Sequence, residues 1–305
     1  MLKLKPIFKD YIWGGYKLKD VFGRDNNGKR ISESWEVSVH KAGLSTSEQG
    51  TLKEYIDNNP TCVSKNHAEF PILIKYIDAA QNASIQVHPD DDYARKMEAD
   101  SGKTEMWYVI QADEGAGIYC GFKEDVTKEE VAEAISKGEI EKLLNFFTVK
   151  SGDCFLIEAG TIHSIGAGCV MLEVQQSSDV TYRVFDYDRK TEDGKARLLN
   201  VERALDVIDY KAFVNKANYS DFVDINNSRI RTLTKCEYFC CRELALNGEF
   251  TEVNDLSFVA VNVISGKGMI NGQYFTSGDS FFINRTERIN IQGKAKIILT
   301  SASDI

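Results

Sequence analysis

The feature that most constrains the fold is a series of short β-branched and aromatic runs separated by glycine. Such runs are typical of β-strands, and many of them in succession indicate strands that close into barrels or sandwiches. The sequence therefore predicts a mainly β protein. The expected strands cover residues 72–78, 84–88, 104–112, 117–122, 154–158, 169–175, 239–244, 257–265, 280–283 and 295–300.

Helices are expected in only a few places. Thr127 and Glu130 form a capping-box pattern ahead of an apolar run, and residues 139–147 can continue as a second helix. A small helical insert is therefore predicted at about residues 123–147. Further short helices are predicted at residues 52–58 and 91–99 and after Asn200.

An internal repeat suggests two related β-barrels. Residues 152–157 (GDCFLI) resemble residues 278–283 (GDSFFI), and each is a Gly-Asp turn that leads into an apolar strand. The position that matches His163 of the first copy holds Ile289 in the second. We predict a larger domain at residues 1–225 that binds a metal and a smaller one at residues 226–305 that does not.

Composition excludes some classes of function. The formal charge of −9 argues against a nucleic-acid-binding protein with a broad basic surface, but not against a small anionic substrate. No apolar stretch is long enough to span a membrane, and the first residues show no secretory signal. The seven cysteines lack metal-ligand spacing. We expect a cytoplasmic protein with reduced, buried cysteines.

Two of the four histidines lie where metal ligands would be expected. Gln86 and His88 alternate with apolar residues, so they share one face of a predicted strand. Glu105 begins another strand, and His163 directly follows a third. Two imidazoles, a carboxylate and an amide oxygen form a mixed nitrogen and oxygen site that suits Zn²⁺, and also Fe²⁺, Mn²⁺ or Co²⁺.

The motifs around these residues resemble type I mannose-6-phosphate isomerase in its short bacterial form, a family of the cupin superfamily. The resemblance runs through six ordered motifs between about residues 6 and 190. They are Trp13-Gly14-Gly15, Glu33-Ser34-Trp35-Glu36, Gln86-Val87-His88-Pro89, Lys103-Thr104-Glu105-Met106-Trp107, Gly160-Thr161-Ile162-His163, and Glu173 followed after nine residues by Arg183.

The resemblance implies two cupin-like jelly-roll barrels and an isomerase of carbohydrate metabolism that interconverts mannose 6-phosphate and fructose 6-phosphate. It also implies one Zn²⁺ per chain, bound by His88, Glu105 and His163, with Gln86 as a further ligand. Arg183 matches the essential arginine of the family. Lys103 and Glu173 fall on pocket positions, and so does Arg189.

The expected chemistry is proton transfer between C2 and C1 of the sugar through a cis-enediol. Glu173 is the proposed base, on the expectation that burial raises its pKa; the alternative is that it only pairs with a cation. Arg183 and Lys103 are expected to bind charged oxygens of the substrate. Ser84 and Trp13 are the other expected substrate contacts, with core packing as the alternative for Trp13.

Two other functions remain open. An Fe²⁺-dependent cupin oxygenase could use the same two histidines and carboxylate. A non-catalytic cupin that binds sugar phosphates would need neither the full ligand set nor Glu173. Gln86, Lys103 and Arg183 favour the isomerase, because they suit an anionic sugar. The expected partner is a small phosphosugar, with no nucleic acid and no membrane; a homodimer is allowed as the assembly.

Overall fold

The computed structural model describes residues 1–64, 70–191, 194–217, 219–255 and 257–303. Within these residues the chain forms 21 strands. They are β1 (Leu2–Leu4), β2 (Ile7–Lys9), β3 (Glu33–Val37), β4 (Thr46–Ser47), β5 (Gly50–Thr51), β6 (Ile72–Ala79), β7 (Ile85–Val87), β8 (Glu105–Ala112), β9 (Gly117–Phe122), β10 (Leu144–Thr148), β11 (Cys154–Ile157), β12 (His163–Ile165), β13 (Cys169–Gln176), β14 (Tyr182–Phe185), β15 (Val223–Ile225), β16 (Ser228–Lys235), β17 (Phe239–Val253), β18 (Val259–Ile270), β19 (Gln273–Thr276), β20 (Ser280–Ile283) and β21 (Arg288–Ala302).

Helices are short and few in the described residues. They are α1 (Lys17–Phe22), α2 (Leu52–Asn58), α3 (Asp91–Glu98), α4 (Lys128–Ser136) and α5 (Val201–Val207), with 3₁₀ turns at Pro60–Cys62 and Ile140–Leu143. The predicted capping box of Thr127 and Glu130 begins α4. No helix in the described ranges has the length and apolar character needed to cross a membrane.

Two sheets enclose the N-terminal core. One has the order β11-β8-β13-β6-β3-β2 and the other β10-β9-β12-β7-β14. Ile77, Trp107 and Met171 of the first sheet pack with Ile118 and other apolar residues of the second. Because alternate residues of a strand share a face, polar residues two positions from these apolar ones also point into the space between the sheets.

The six-stranded sheet is covered on its other face as well. Tyr76 and Tyr108 point away from the first core and lie in a second core with Phe258 and Phe282 of the C-terminal sheet. Burial on both faces explains why every residue of β6 and β13 is buried. The eight-stranded C-terminal sheet has the path β1-β20-β18-β21-β17-β16-β15, with β19 paired to β18.

A buried carboxylate lies where the N-terminal and C-terminal sheets meet. Glu36 is fully buried and accepts hydrogen bonds from Arg24 (2.7 Å), Ser34 (2.6 Å) and Ser280 (2.8 Å). Burial raises the pKa of Glu36, although Arg24 and the two serines act in the opposite direction. Three donors therefore compensate for removing this charge from water.

The two Gly-Asp turns have the same hydrogen bonds, which supports the predicted repeat. Asp153 accepts a bond from the Lys150 amide at 2.9 Å, and Asp279 accepts one from the Thr276 amide at 2.8 Å. The glycine before each aspartate has a positive φ, 94° at residue 152 and 88° at residue 278. Each turn leads into a fully buried strand, β11 or β20.

Two sequence predictions need comment. The helix predicted at residues 139–147 is wrong: after one 3₁₀ turn the chain enters β10, which pairs with β9. Tertiary pairing of Phe146 and Phe147 with β9 overrides the local helical preference. The proposed division between residues 225 and 226 falls in the turn between β15 and β16, and it stays a prediction.

Candidate metal centre

Three residues converge at one end of the space between the N-terminal sheets. His88 directly follows β7, while Glu105 and His163 begin β8 and β12. β12 and β7 are neighbours, and His163 pairs with Gln86 in their register. All three side chains are buried, at no more than 1% exposure. Adjacent strand ends thus bring together residues that are up to 75 positions apart, from His88 to His163.

The potential ligand atoms lie close enough to share one cation. One potential ligand atom from each of His88, Glu105 and His163 lies within 4.8 Å of the other two, and in the described residues this is the one such group of three. Glu105 Oε2 is 3.6 Å from His88 Nε2, and Glu105 Oε1 is 3.3 Å from His163 Nε2. The predicted convergence of these three residues is present.

Backbone carbonyls fix the tautomer of both histidines. His88 Nδ1 donates to the Val180 carbonyl and His163 Nδ1 to the Thr161 carbonyl, both at 2.8 Å. The Nε2 lone pairs therefore face Glu105, as in metal sites whose ligating histidines are oriented by a second hydrogen bond. Burial lowers the pKa of His88 well below its ordinary value, assisted by Lys103, and burial lowers that of His163 to about 4. Both rings are neutral at pH 7 and can ligate.

The local charges fit a bound cation. Lys103 Nζ lies 2.6 Å from Glu105 Oε2 and 3.0 Å from His88 Nε2, so an ammonium group already contacts two of the three ligand atoms. Glu105 Oε1 is buried without a hydrogen-bond partner among the described residues. Burial and the neighbouring Glu173 raise the pKa of Glu105 to about 7. A divalent cation would provide a partner for this oxygen. Its positive charge would also favour the ionised form of Glu105, against the influence of burial and of Glu173.

Gln86 lies at the edge of this group. Its Nε2 is 3.4 Å from His163 Nε2, and its Oε1 accepts a hydrogen bond from Ser84 at 3.3 Å. Rotation of the terminal amide would bring Oε1 to the metal side in place of Nε2. The role of Gln86 as a fourth ligand stays a prediction.

Glu173 does not have the pKa that was expected. Burial acts to raise it, but Lys103 and Lys75 outweigh burial and lower the pKa of Glu173 to about 2. Lys75 Nζ is 3.0 Å from Glu173 Oε1, and Trp107 Nε1 donates to Oε2 at 3.1 Å. Lys103 Nζ lies 3.8 Å from Oε1. The carboxylate is therefore ionised at neutral pH and joins the two lysines, as in the ion-pair alternative.

The metal centre opens into a cleft rich in cations. Ser84 and Trp13, which were predicted as substrate contacts, line it together with Gln86 and the four basic side chains Lys75, Lys103, Arg183 and Arg197. The Nε of Arg183 is buried and has no hydrogen-bond partner in the described part of the chain. Two arginines near one another at a cleft suit a dianionic group, since guanidinium binds phosphate in a bidentate manner.

Arg189 lies outside this cleft lining. Its Nε donates to the Asp186 carbonyl at 3.1 Å, and its two terminal nitrogens donate to Asp186 Oδ1 and to the Asn82 carbonyl, both at 2.5 Å. The guanidinium therefore holds the loop that carries it against Asn82, in the segment that precedes β7. Its proposed contact with substrate stays a prediction.

Sequence reasoning missed several cleft residues, chiefly Lys75 and Arg197. Lys75 and Asp78 are the two charged residues of the otherwise largely apolar β6, and a charged residue in such a run is a signal that could have been followed. Arg197 lies in an irregular loop, where periodicity gives no information. Tyr11, Glu33 and Asp179 also line the cleft.

The other tryptophans and histidines have structural environments. Trp35 is fully buried and its Nε1 donates to Glu33 at 2.6 Å. His40 Nε2 lies 3.2 Å from an oxygen of Asp100. His67 is outside the described residues. The seven cysteines are free thiols, and five of them are buried.

Comparisons with known proteins agree with this geometry. Residues 1–136 match a family model described as phosphomannose isomerase type I, catalytic domain, and residues 229–302 match mannose-6-phosphate isomerase, cupin domain. The chain is 37% identical over 293 residues to a mannose-6-phosphate isomerase of Bacillus subtilis, with 92% of each chain covered.

A second relative is a mannose-6-phosphate isomerase of Streptococcus mutans. It is 34% identical over 304 residues, which cover 96% of this chain and 95% of the relative. The crystal structure of a mannose 6-phosphate isomerase from Bacillus subtilis superposes with a TM-score of 0.91 at 33% identity, and covers 98% of both chains. The predicted mainly β, cupin-type fold is thereby confirmed.

Proposed function

The chain belongs to the type I phosphomannose isomerase family, and from this premise we propose that it interconverts mannose 6-phosphate and fructose 6-phosphate. The observation that carries the proposal is the convergence of His88, Glu105 and His163 within 4.8 Å, beside a cleft that four cationic side chains line. A neutral sugar would not need those cations, whereas a phosphosugar does.

We propose Zn²⁺ as the resident metal, with His88, Glu105 and His163 as ligands and Gln86 as an additional one. Two neutral imidazoles and a carboxylate are a usual set for catalytic zinc, which keeps a coordination position for substrate. When bound, the metal supplies Lewis-acid stabilisation of negative charge that develops on substrate oxygens. Lys103 would have to release Glu105 and His88 for a metal to bind there. Glu173 Oε1 offers Lys103 an alternative partner, because it lies 3.8 Å from Lys103 Nζ.

The proton transfer is assigned to Glu173 and Lys103. Isomerisation moves a proton between C2 and C1 through a cis-enediol, so one group must take the proton and return it. Glu173 is the proposed base, and its basicity depends on Lys103, which is the larger of the two cationic influences on its pKa. A substrate oxygen that draws Lys103 away would raise the pKa of Glu173 toward a useful range. Lys75 and Trp107 hold the carboxylate in place meanwhile.

The phosphate is assigned to the arginine side of the cleft. Arg183 has a buried Nε without a hydrogen-bond partner in the described residues, and Arg197 contacts Asp186 at 3.3 Å and lies 5.9 Å from the centre of the Tyr11 ring. Burial lowers the pKa of Arg197, and the charge of Arg183 lowers it further, which places the two cations close together. A phosphate between them would relieve this repulsion. Arg183 is also placed to contact oxygens that gain charge during the reaction.

The test is metal analysis combined with an isomerase assay on the purified chain. We expect bound divalent metal, conversion of mannose 6-phosphate to fructose 6-phosphate in a coupled assay, loss of activity after chelation, and recovery on adding Zn²⁺. Tight binding of the sugar phosphate without exchange between the isomers would favour a non-catalytic cupin. Oxygen uptake with iron would favour the oxygenase. Either result contradicts the proposal.

The seven free thiols support a reducing compartment, so we propose the cytoplasm as the location. The homodimer allowed by the sequence stays a prediction.

A further inference from the structure

A second concave surface lies on the C-terminal sheet, and it shares no lining residue with the metal cleft. It is an open groove of about 950 Å³ that crosses β16, β17, β18 and β21. Four basic side chains line it, which are Arg229, Lys267, Lys294 and Lys296. We call this surface the basic groove. The isomerase proposal gives it no role.

Strand register places the four cations on one face. Lys267 pairs directly with Lys294, and Lys296 pairs with Ala245, which in turn pairs with Arg229. Directly opposed residues share a face, and so do residues two apart on one strand. From these spacings, Lys294 and Lys296 are about 7 Å apart along β21, and Arg229 and Lys296 are about 10 Å apart across two strand intervals. The cations form an array rather than a single cluster.

The backbone keeps the floor of the groove open. Gly266 has a φ of +96°, and a Cβ at this position would lie 2.2 Å from the Lys294 carbonyl oxygen, so no side chain fits there. The pairing of β18 with β21 also shifts register between Val263 and Ser265, and such bulges increase the local twist and bend of a sheet. Ala245 and Ser265 add only small side chains between the cations.

The positive charge in the groove is unbalanced, although the chain as a whole carries −9. No acidic residue lines the groove in the part of the chain that the structure describes. Lys296 lies 3.9 Å from Glu243, but that carboxylate already accepts two hydrogen bonds from Arg231. Like charges directly opposite one another, as Lys267 and Lys294 are, destabilise a sheet.

Arg229 does not relieve this imbalance. Asp224 is its cross-strand neighbour on β15, yet no ion pair within 4 Å joins the two side chains. The guanidinium instead lies 5.0 Å from the centre of the Phe222 ring. An array of four cations, of which only Lys296 has a carboxylate of the described residues within 4 Å, above a floor that contains Ala245, Ser265 and Gly266, is complementary to an anion with more than one charged group.

We propose that the basic groove binds a small organic anion that carries two phosphoryl groups. One phosphoryl group would lie between Lys267 and Lys294, and the other would contact Lys296 and Arg229. The separation of these two positions exceeds what a single phosphate can span, so a bisphosphate should bind much more tightly than a monophosphate. The bound anion would remove the repulsion between Lys267 and Lys294 and so stabilise the C-terminal sheet.

The experiment is calorimetric titration of the metal-loaded, full-length chain with fructose 1,6-bisphosphate. Saturating mannose 6-phosphate is present throughout, so that the catalytic cleft is occupied. The variant is Lys267→Gln with Lys294→Gln. The matched control is Lys96→Gln with Lys235→Gln, which removes the same charge from two other exposed lysines. Orthophosphate replaces the bisphosphate in a parallel series.

We expect one bisphosphate per chain, weaker binding at higher salt, and at least about tenfold weaker binding in the groove variant but not in the control. The groove variant should retain the isomerase activity of the wild type, since its lysines are exposed and do not line the cleft, and its melting temperature should not fall, since the repulsion between Lys267 and Lys294 is removed. Equal affinity in the two variants, or no binding to the wild type while mannose 6-phosphate occupies the catalytic cleft, would overturn the proposal. Self-association that only the groove variant loses would overturn it too, and would assign the groove to an acidic surface of a second copy.

Discussion

Arg197→Ala should selectively weaken the use of phosphorylated substrate. Arg197 lines the cleft, and its side chain is only 14% exposed, so solvent screens it little. Its contact with Asp186 is long, at 3.3 Å, while Arg189 contacts the same carboxylate at 2.5 Å. Removing Arg197 therefore leaves Asp186 paired. The variant should fold normally.

The expected size follows from the bond that is lost. A hydrogen bond to a charged group contributes about 1.5–3 kcal/mol, and here the phosphate would lose one such partner. This corresponds to a fall of about 10- to 150-fold in kcat/KM for mannose 6-phosphate. The effect on unphosphorylated mannose should be small, because mannose has no charge for Arg197 to bind.

The assay measures kcat/KM for both sugars in the wild type, Arg197→Ala and Arg203→Ala. Arg203→Ala is the matched control, because Arg203 lies on α5, pairs with Glu98 and does not line the cleft. We expect only Arg197→Ala to reduce the ratio of the two values. If both sugars lose activity equally, or if neither does, the assignment of the phosphate to this side of the cleft is wrong.

Three further predictions concern the buried charges. Glu173→Gln should lower kcat by about 10²–10⁴ with little change in KM, and a near-normal kcat in the isomerase assay would exclude Glu173 as the base. Glu105→Gln should reduce the metal retained after dialysis, as measured by elemental analysis; full retention would contradict its role as a ligand. Arg24→Ala should cost about 3–5 kcal/mol in the free energy of unfolding at pH 7, because it leaves Glu36 buried without its cation. Burial already raises the pKa of Glu36 in the folded protein above its value in the unfolded chain. Folding therefore favours the protonated carboxyl. The stability that Glu36 contributes is present below its unfolded pKa and is lost as the pH rises through its folded pKa. The cost of Arg24→Ala should thus be smaller at pH 5 in urea titrations, and an equal cost at both pH values would refute this explanation.

Much of the fold could be predicted because local pattern and tertiary structure agree. β9 and β20 match their predicted ranges exactly in extent, and α4 begins at the predicted capping box. β10 could not be predicted, since its sequence permits a helix and only pairing with β9 decides the outcome. Long-range partners of this kind leave no signal in a local window.

The candidate site could likewise be predicted only in part from the sequence. His88, Glu105 and His163 occur in motifs with regular alternation, so their convergence could be predicted. The low pKa of Glu173 could not, because it depends on Lys103 and also on Lys75, whose distance from Glu173 is set by the pairing of β6 with β13. Charge environments arise from neighbours in space, whereas a sequence motif shows only neighbours along the chain.

The pairing of β1 with β20 makes the order of biosynthesis important. Leu2 lies opposite Phe282, so the partner strand of β1 is synthesised 280 residues after it. At a translation rate of about 5–20 residues per second, the delay is roughly 14 to 56 s. For that time the apolar side chains of Leu2 and Leu4 have no β20 to pair with, so β1 cannot join the C-terminal sheet until synthesis is nearly 280 residues further on. Changes that weaken the pairing of β1 with β20 would accordingly disturb the C-terminal sheet before they disturbed the catalytic cleft.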